Sequence, residues 1–471
     1  MVGREREKDI LARCIESKRP EFLAVYGRRR VGKTYLIKEY FKNRFSFYAT
    51  GLSGEKTAGQ LKAFNGSLLE YGSTETKAPS DWFEGFSRLK KLLDSPDVRR
   101  DNVSGKRVVF LDELPWMDTA RSDFKSALDH FWNTWGSAQP DLLLIVCGSA
   151  TSWIIEEILN STGGFYNRVT RQMHLSPFSL HECEELFAVN GIAYTRKQQL
   201  DSYMVFGGIP YYLNLLDERL SLAQNIDALI FQEDGALHNE YNNLFHSLFR
   251  NADKHVAIIQ ALSEKRKGLN RVEIIEHAGI ADGTLLTKAL NELVQCGFIR
   301  KYRNSLTGKN GCIYQIIDPF TLFSQRYTVG ESLKSWSGYI GSQGYHSWSG
   351  NAFEIVCLNH IEQIKGALGI SGVESSEYTW RSRTKSGGAQ IDLLIDRKDD
   401  MINICEMKYT SDEFEIDAAY EKKLINKVET FRKEEKTRKA LSLTLVSANG
   451  LKRNAHANTV QRLITGDDLF G

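Results

Sequence analysis

The chain has no closely spaced cysteines, no long apolar run and no excess of charge of one sign, and each absence removes a class of protein. Its seven cysteines stand at positions 14, 147, 183, 296, 312, 357 and 405, without a C-x-x-C pair. That spacing indicates neither a zinc site nor a disulfide framework, and it suits a reducing compartment. No segment approaches the ~20 consecutive apolar residues of a membrane span. The first residues, Met1-Val2-Gly3-Arg4-Glu5-Arg6-Glu7, are charged where a secretory signal needs an apolar core. The expectation is a cytoplasmic protein with no membrane partner. A formal net charge of +2 over 471 residues leaves nucleic-acid binding open, because any basic surface must then be local. Hydrophobic content of 42% and charged content of 25% are those of a soluble globular protein, and the length suggests about three domains.

What is present begins with Gly27, Arg28, Arg29, Arg30, Val31, Gly32, Lys33 and Thr34, which fit the pattern G-x-x-x-x-G-K-[ST]. They follow the apolar run Phe22–Tyr26, read as a buried strand, and precede a helix expected from Tyr35 to Phe41. Glycines let backbone N–H groups close around phosphates, Lys33 reaches the β- and γ-phosphates, and Thr34 ligates Mg²⁺. A second strand, Arg107–Leu111, ends in Asp112 and Glu113. Asp112 is expected to hold Mg²⁺ through water, and Glu113 to polarise the water attacking the γ-phosphate. A third strand, Leu142–Cys147, leads to Ser149, a candidate sensor of the γ-phosphate or, equally, the cap of a helix beginning near Ser152. Trp132, Trp135, Tyr211 and Tyr212 lie at helix-face spacings and are read as core.

Val2–Glu5, Gly27–Thr34 and Leu111-Asp112-Glu113 resemble the archaeal-type AAA+/STAND P-loop ATPase family. Gly164-Phe165-Tyr166-Asn167-Arg168, followed by Leu175–Phe178, is similar to that family's arginine segment, although Asn167 stands where the family usually has glycine. Gly207-Gly208-Ile209-Pro210 is similar to its lid motif near the adenine. The resemblance covers roughly residues 1 to 245. It implies ATP and Mg²⁺ as cofactors and Pro210 beside the base. Arg168 would be an arginine finger, supplied within the chain or to a neighbouring copy of a homo-oligomer, with Arg171 as the competing candidate.

Residues 253–304 read as three helices and a hairpin. The helices are Val256–Leu262, Arg271–His277 and Asp282–Cys296, and the strands are Gly297–Tyr302 and Cys312–Ile316. The pattern resembles a winged helix-turn-helix. Lys265, Arg266, Lys267, Arg271, Lys288, Arg300, Lys301 and Arg303 are candidates to neutralise DNA phosphates. The recognition helix offers Thr284, Thr287, Lys288 and Asn291; protein docking is the other use of such a module.

Further on, Gln390–Ile395 and Ile402–Lys408 read as paired strands, with Glu406 and Lys408 on one face opposite Cys405 and Met407. A helix over Ala352–Ile361 puts Glu354 on an apolar stripe with Cys357, Leu358 and Ile361. A buried carboxylate needs a partner, and a metal shared with Asp392 and Glu406 would supply one. Glu354, Asp392 and Glu406-Met407-Lys408 are similar to the PD-(D/E)XK nuclease family, with Ile391 in place of the proline of the family name. The resemblance implies catalysis by Glu354, Asp392, Glu406 and Lys408, with Asp392 and Glu406 binding Mg²⁺. The helix Tyr420–Lys427 would add positive charge beside the acids.

The expected architecture is α/β: a P-loop AAA+ ATPase core (1–185), a helical lid (186–250), a winged helix-turn-helix (251–345) and a restriction-endonuclease-like α/β domain (346–471). The expected function is an ATP-hydrolysing, DNA-associated protein whose nucleotide state controls a metal-dependent nuclease-like domain. The alternatives are a STAND-type signalling switch with an inactive docking domain, and an AAA+ protein remodeller.

Overall fold

Short runs of aliphatic and aromatic residues set the strands, and the connections between them decide which edge of each sheet carries polar groups. The computed structural model describes residues 1–160, 167–249, 251–265, 267–303, 311–329, 335–382 and 389–471. Gly164, Phe165, Tyr166 and Arg266 lie outside the described residues. Two compact units divide the chain, Met1–Ser176 and Pro177–Gly471.

In the first unit, β1 (Glu21–Tyr26), β2 (Phe47–Thr50), β3 (Arg107–Asp112), β4 (Leu142–Gly148) and β5 (Arg171–His174) form one sheet in the order β2-β3-β4-β1-β5. Every neighbouring pair is parallel. β3 and β4 are buried at every residue, as expected of parallel strands covered on both faces. Phe22, Ala24, Val109, Leu111, Leu144 and Val146 form one face. They pack with Phe64, Trp82, Phe86, Leu128, Phe131 and Trp132 from the helices Thr57–Glu70, Trp82–Leu93 and Phe124–Thr134. Because all five strands run the same way, the segments leaving β1, β3 and β4 emerge at one edge. The helix after β1 spans Lys33–Tyr40, starting inside the glycine-rich loop because left-handed Gly32 (φ 91°) turns the chain directly into it.

The second unit opens with the helices Leu180–Val189, Arg196–Phe206, Pro210–Leu213, Leu222–Ile226 and Glu240–Leu248. Ser179 with Glu182, Thr195 with Gln198 and Ser221 with Gln224 form capping boxes that fix three of their starts. Gly208 lies so close to Phe178 that a Cβ would sit 1.9 Å from the Phe178 carbonyl oxygen. Tyr212 is fully buried, whereas Tyr211 is 44% exposed. The expectation of a core Tyr211 fails because a single-turn helix sends consecutive side chains to different sides.

The helices Ala252–Ser263, Arg271–Ala278 and Thr284–Gln295 accompany an antiparallel sheet of β6 (Leu269–Asn270), β7 (Ile299–Arg303) and β8 (Cys312–Ile316), in the order β6-β8-β7. Asn270 caps the second of these helices in a box with Glu273. The last sheet contains β9 (Ser375–Arg381), β10 (Gln390–Arg397), β11 (Met401–Lys408), β12 (Ala440–Ser447) and β13 (Arg462–Thr465) in the order β13-β12-β11-β10-β9. β9, β10 and β11 are antiparallel, and β11, β12 and β13 parallel. The helix Ala418–Glu435 makes the crossover that the parallel β11–β12 pair requires, burying Leu424 and Phe431 against Trp380, Ile391 and Ile404. Among the described residues, no helix is long and apolar enough to cross a membrane.

The helix carrying Glu354 runs over Gln343–Asn359, longer at its start and shorter at its end than the sequence suggests. Cys357 and Leu358 share it, but Ile361 belongs to the next helix, Ile361–Ala367. His360 breaks the two apart. It is 1% exposed, its Nε2 accepts from the Leu180 N–H at 2.9 Å, and its Nδ1 lies 2.8 Å from the Val356 carbonyl, which suits a neutral ring protonated at Nδ1. Burial pushes its pKa down to about 4. Between that value and the ordinary one near 6.5, the unfolded chain binds a proton that the folded chain refuses, so stability falls as pH drops through this window. The expected loss is up to about 3 kcal/mol by pH 4. Urea unfolding at several pH values checks it: His360→Gln should remove that part of the slope, and an unchanged slope would contradict the assignment.

Candidate functional site

At the shared edge of the first sheet, Gly27 leaves β1 with φ 146°, and a Cβ there would lie 2.3 Å from the Leu175 carbonyl oxygen. Leu175 in turn donates its N–H to Tyr26 O at 2.8 Å, so β5 closes against the base of the loop. Arg30 (φ 70°) and Gly32 (φ 91°) are also left-handed, the kind of bend that builds anion-binding concavities. Buried Lys33 donates its ammonium to the carbonyls of Gly27 at 2.8 Å and Arg28 at 2.9 Å, spanning the loop. Arg4, itself buried, donates to Val31 O at 3.1 Å. The motif around Arg4 is visible in the sequence, but its task of holding the loop from outside is not.

Thr34 Oγ1 donates to Asp112 Oδ2 at 2.8 Å, bringing together the two residues expected to hold Mg²⁺. Burial raises the Asp112 pKa and the charge of Glu113 adds to the effect, with the Thr34 bond opposing it. A buried carboxylate whose charge is penalised in this way is a donor that a divalent cation would stabilise, so these residues fit Mg²⁺. Glu113 takes a left-handed conformation, φ 47°, uncommon for a residue with a side chain. Its carboxylate accepts from Ser149 Oγ at 2.6 Å and from the Ser149 N–H at 3.1 Å. Ser149 does not cap the following helix, Thr151–Trp153, whose N-cap is Ala150. Its hydroxyl is engaged in fixing Glu113.

The two arginine candidates stand elsewhere. Arg171 opens β5 opposite Leu23, with its Nε 3.4 Å from Glu21 Oε2. Arg168 is exposed and precedes it in a turn after left-handed Asn167. Both therefore lie toward the sheet edge opposite the phosphate loop. Pro210 belongs to the second unit, where it is the first residue of the helix Pro210–Leu213.

Within the second unit, Glu354, Asp392 and Glu406 are all buried, at 8%, 6% and 4% exposure. Asp392 sits in a β-bulge: Ile391 pairs with Trp380 and Leu394 with Tyr378, so β10 spends one more residue than β9 between these points. Bulges re-aim side chains, and here Asp392 Oδ2 accepts from the Met407 N–H of β11 at 3.0 Å. Glu406 Oε1 accepts from the Tyr420 hydroxyl at 2.6 Å and pairs with Lys408 at 2.9 Å; its Oε2 accepts from Lys427 at 2.5 Å. The helix Ala418–Glu435 thus brings positive charge to the acids through Lys427.

The partner of Glu354 is an ammonium, not the shared metal that the sequence suggests. Lys267 Nζ lies 2.7 Å from Glu354 Oε2 and 2.5 Å from Asp392 Oδ1. Burial opposes the charge on Asp392, but Lys267 and Lys427 outweigh it and hold its pKa below the usual carboxylate range. Burial likewise opposes the charge on Lys408, and Glu406 and Asp392 outweigh it, keeping the ammonium above its ordinary range. Among the described residues, no group of three or more His, Cys, Asp and Glu side chains is arranged to hold a metal ion. With Lys267 seated, the acid cluster does not fit one.

Lys267 is therefore not available to DNA phosphates, and four other candidates have partners within the chain, of which Lys288 and Lys301 stay exposed. Arg271 bonds Asp282 at 2.9 Å, Lys288 lies 3.9 Å from Glu292, Arg300 stacks 4.6 Å over the Tyr302 ring and Lys301 lies 5.8 Å over the Tyr314 ring. Lys265, Lys288, Lys301 and Arg303 are exposed, as are Thr284, Thr287 and Asn291.

Residues 1–216 match the model of a family described as an ATPase domain predominantly from Archaea. This part of the chain is an archaeal-type ATPase domain. The match reaches past the first unit and includes Pro210. An uncharacterized protein of Methanocaldococcus jannaschii is 27% identical over 334 residues, 69% of this chain and 68% of that protein. Among solved structures, the Walker-type ATPase of Pyrococcus abyssi is similar with a TM-score of 0.49 at 17% identity, over 69% of this chain and 96% of that one. The ORC2 protein of Aeropyrum pernix, in its ADPNP–ADP complexes, is similar with a TM-score of 0.44 at 14% identity, over 69% of this chain and 93% of that one.

The ATPase domain's loop depends on Arg4, so Arg4→Ala should weaken ATP binding by roughly tenfold, the ~1.5 kcal/mol of a hydrogen bond to a charged donor. Calorimetric titration checks this, and unchanged affinity would remove Arg4 from the site.

Proposed function

We propose that the chain is an ATP-hydrolysing, DNA-associated protein whose nucleotide state governs a C-terminal nuclease-like domain. The observation that carries the ATPase part is the meeting of three strand ends, where Thr34 bonds Asp112 at 2.8 Å and Ser149 bonds Glu113 at 2.6 Å. Gly27–Thr34 would bind the phosphates of ATP, with Lys33 neutralising the β- and γ-groups. Thr34 and Asp112 would hold Mg²⁺, which supplies charge neutralisation between those groups. Glu113 accepts the proton of the attacking water, and Ser149 positions it by two hydrogen bonds. Arg168, exposed toward the opposite sheet edge, acts on the nucleotide of a neighbouring copy rather than its own, which implies a homo-oligomer. The lid motif that Gly207–Pro210 resembles would assign Pro210 to the adenine.

DNA association is supported by exposed Lys265, Lys288, Lys301 and Arg303 on a segment of three helices and a small antiparallel sheet, read as a winged helix. The nuclease-like reading is supported by a mixed sheet that gathers Asp392, Glu406 and Lys408 beside the helix bearing Glu354. The rival reading, a STAND-type switch whose C-terminal domain is silent, is favoured by one observation: an ammonium already compensates Glu354 and Asp392.

Four measurements test these readings. Lys33→Ala should abolish ATP binding, and retained affinity would sink the loop assignment. Glu113→Gln should still bind ATP while turnover falls by about 10²- to 10⁴-fold, the usual worth of a general base; normal turnover would exclude Glu113 from that role. Retention of linear and branched DNA should weaken steeply with salt, and absence of retention at low salt would favour the switch. Metal-dependent nicking, assayed with and without ATP, should disappear in Lys408→Ala; its survival would end the nuclease assignment.

A further inference from the structure

The acid cluster already contains a cation, and that cation comes from a different part of the chain. Lys267 lies between the helix Ala252–Ser263 and β6, far in sequence from both acids it joins. Its backbone is seated as firmly as its ammonium. Tyr302 Oη donates to Lys267 O at 3.1 Å, and Arg381 Nη2 donates to Lys267 O at 3.4 Å and to Gly268 O at 3.3 Å. Gly268, at φ 74°, passes so near β8 that a Cβ would stand 2.3 Å from Tyr314 O. The donors come both from the small sheet, through Tyr302, and from the large one, through Arg381. The lysine's position is therefore a property of how these two sheets meet.

Two buried carboxylates facing one point repel each other and lose hydration, and a positive charge between them removes both penalties. An ammonium meets that need with one charge and hydrogen bonds; a divalent cation would meet it with two charges and direct coordination. Both cannot occupy the space between Glu354 Oε2 and Asp392 Oδ1. We propose that Lys267 is an internal latch, an ammonium standing in for a divalent cation, and that its withdrawal converts Glu354 and Asp392 into a cation site. The proposal rests on the reading of these acids as a nuclease-like cluster only for what the cation would do once bound.

The test uses the full, nucleotide-free chain and Mn²⁺, with bound metal counted by electron paramagnetic resonance of the free ion. Wild type, Lys267→Gln and the double variant Lys267→Gln/Asp392→Asn share any ion held by Thr34 and Asp112, so differences report the acid cluster. Lys267→Gln should take up about one Mn²⁺ per chain more than wild type, and Asp392→Asn should abolish the extra ion. Equal uptake by wild type and Lys267→Gln, or an extra ion that survives Asp392→Asn, overturns the latch. Should Lys267→Gln fail to fold, acylation of the folded wild-type chain decides the matter. Lys267 should react at least about tenfold more slowly than exposed Lys301, as an ammonium held between two carboxylates must. Equal reactivity overturns the proposal. Extra Mn²⁺ bound by Lys267→Gln without any nicking of DNA would uphold the latch and remove the nuclease reading.

Discussion

A carboxylate taken out of water keeps its charge only if something nearby compensates it, and both candidate sites are organised around that requirement. Asp112 is buried at a strand end with a threonine hydroxyl and a backbone N–H as its hydrogen-bond donors, and its proton affinity rises accordingly. Asp392, just as buried, has an ammonium at 2.5 Å and a backbone donor at 3.0 Å, and its proton affinity falls. The same residue type at the same depth therefore stands in opposite electrostatic states. One acid is left wanting a cation, and the other has been given one by its own chain.

Topology supplies the means. In the first unit, parallel strands in the order β2-β3-β4-β1-β5 bring the ends of β1, β3 and β4 side by side, so residues separated by nearly eighty positions meet without long side chains. In the second, mixed pairing combined with a bulge achieves a comparable convergence. There the acids come from a helix and two strands, and the cations from the segment before β6, from β11 and from the crossover helix.

The glycine-rich loop and the acids after β3 are legible in the sequence because their chemistry is local: a strand, a turn with positive φ and a helix, each with its own residue signature. The order of strands is not local, and neither is the bond between Ser149 and Glu113, since nothing in either segment names the other. Glu354 is legible as an acid in need of a partner, but not the identity of that partner. Lys267 reads as one more cation in a basic stretch until the fold brings it 125 positions away to Asp392. The earlier end of the helix around Glu354 escaped for a related reason: His360 follows it in a tertiary bond to Leu180, a residue 180 positions away.

The bulge in β10 makes the aim of Asp392 a matter of counting. The side chains of a strand alternate, so their facing depends on how many residues separate them from a fixed pair, and the single extra residue between Ile391 and Leu394 sets that count. Exchanging a residue in this stretch alters one contact, but removing or adding one would turn the following part of the strand over, carrying core side chains outward. Relatives of this chain should thus keep the length of this stretch even where its residue types differ.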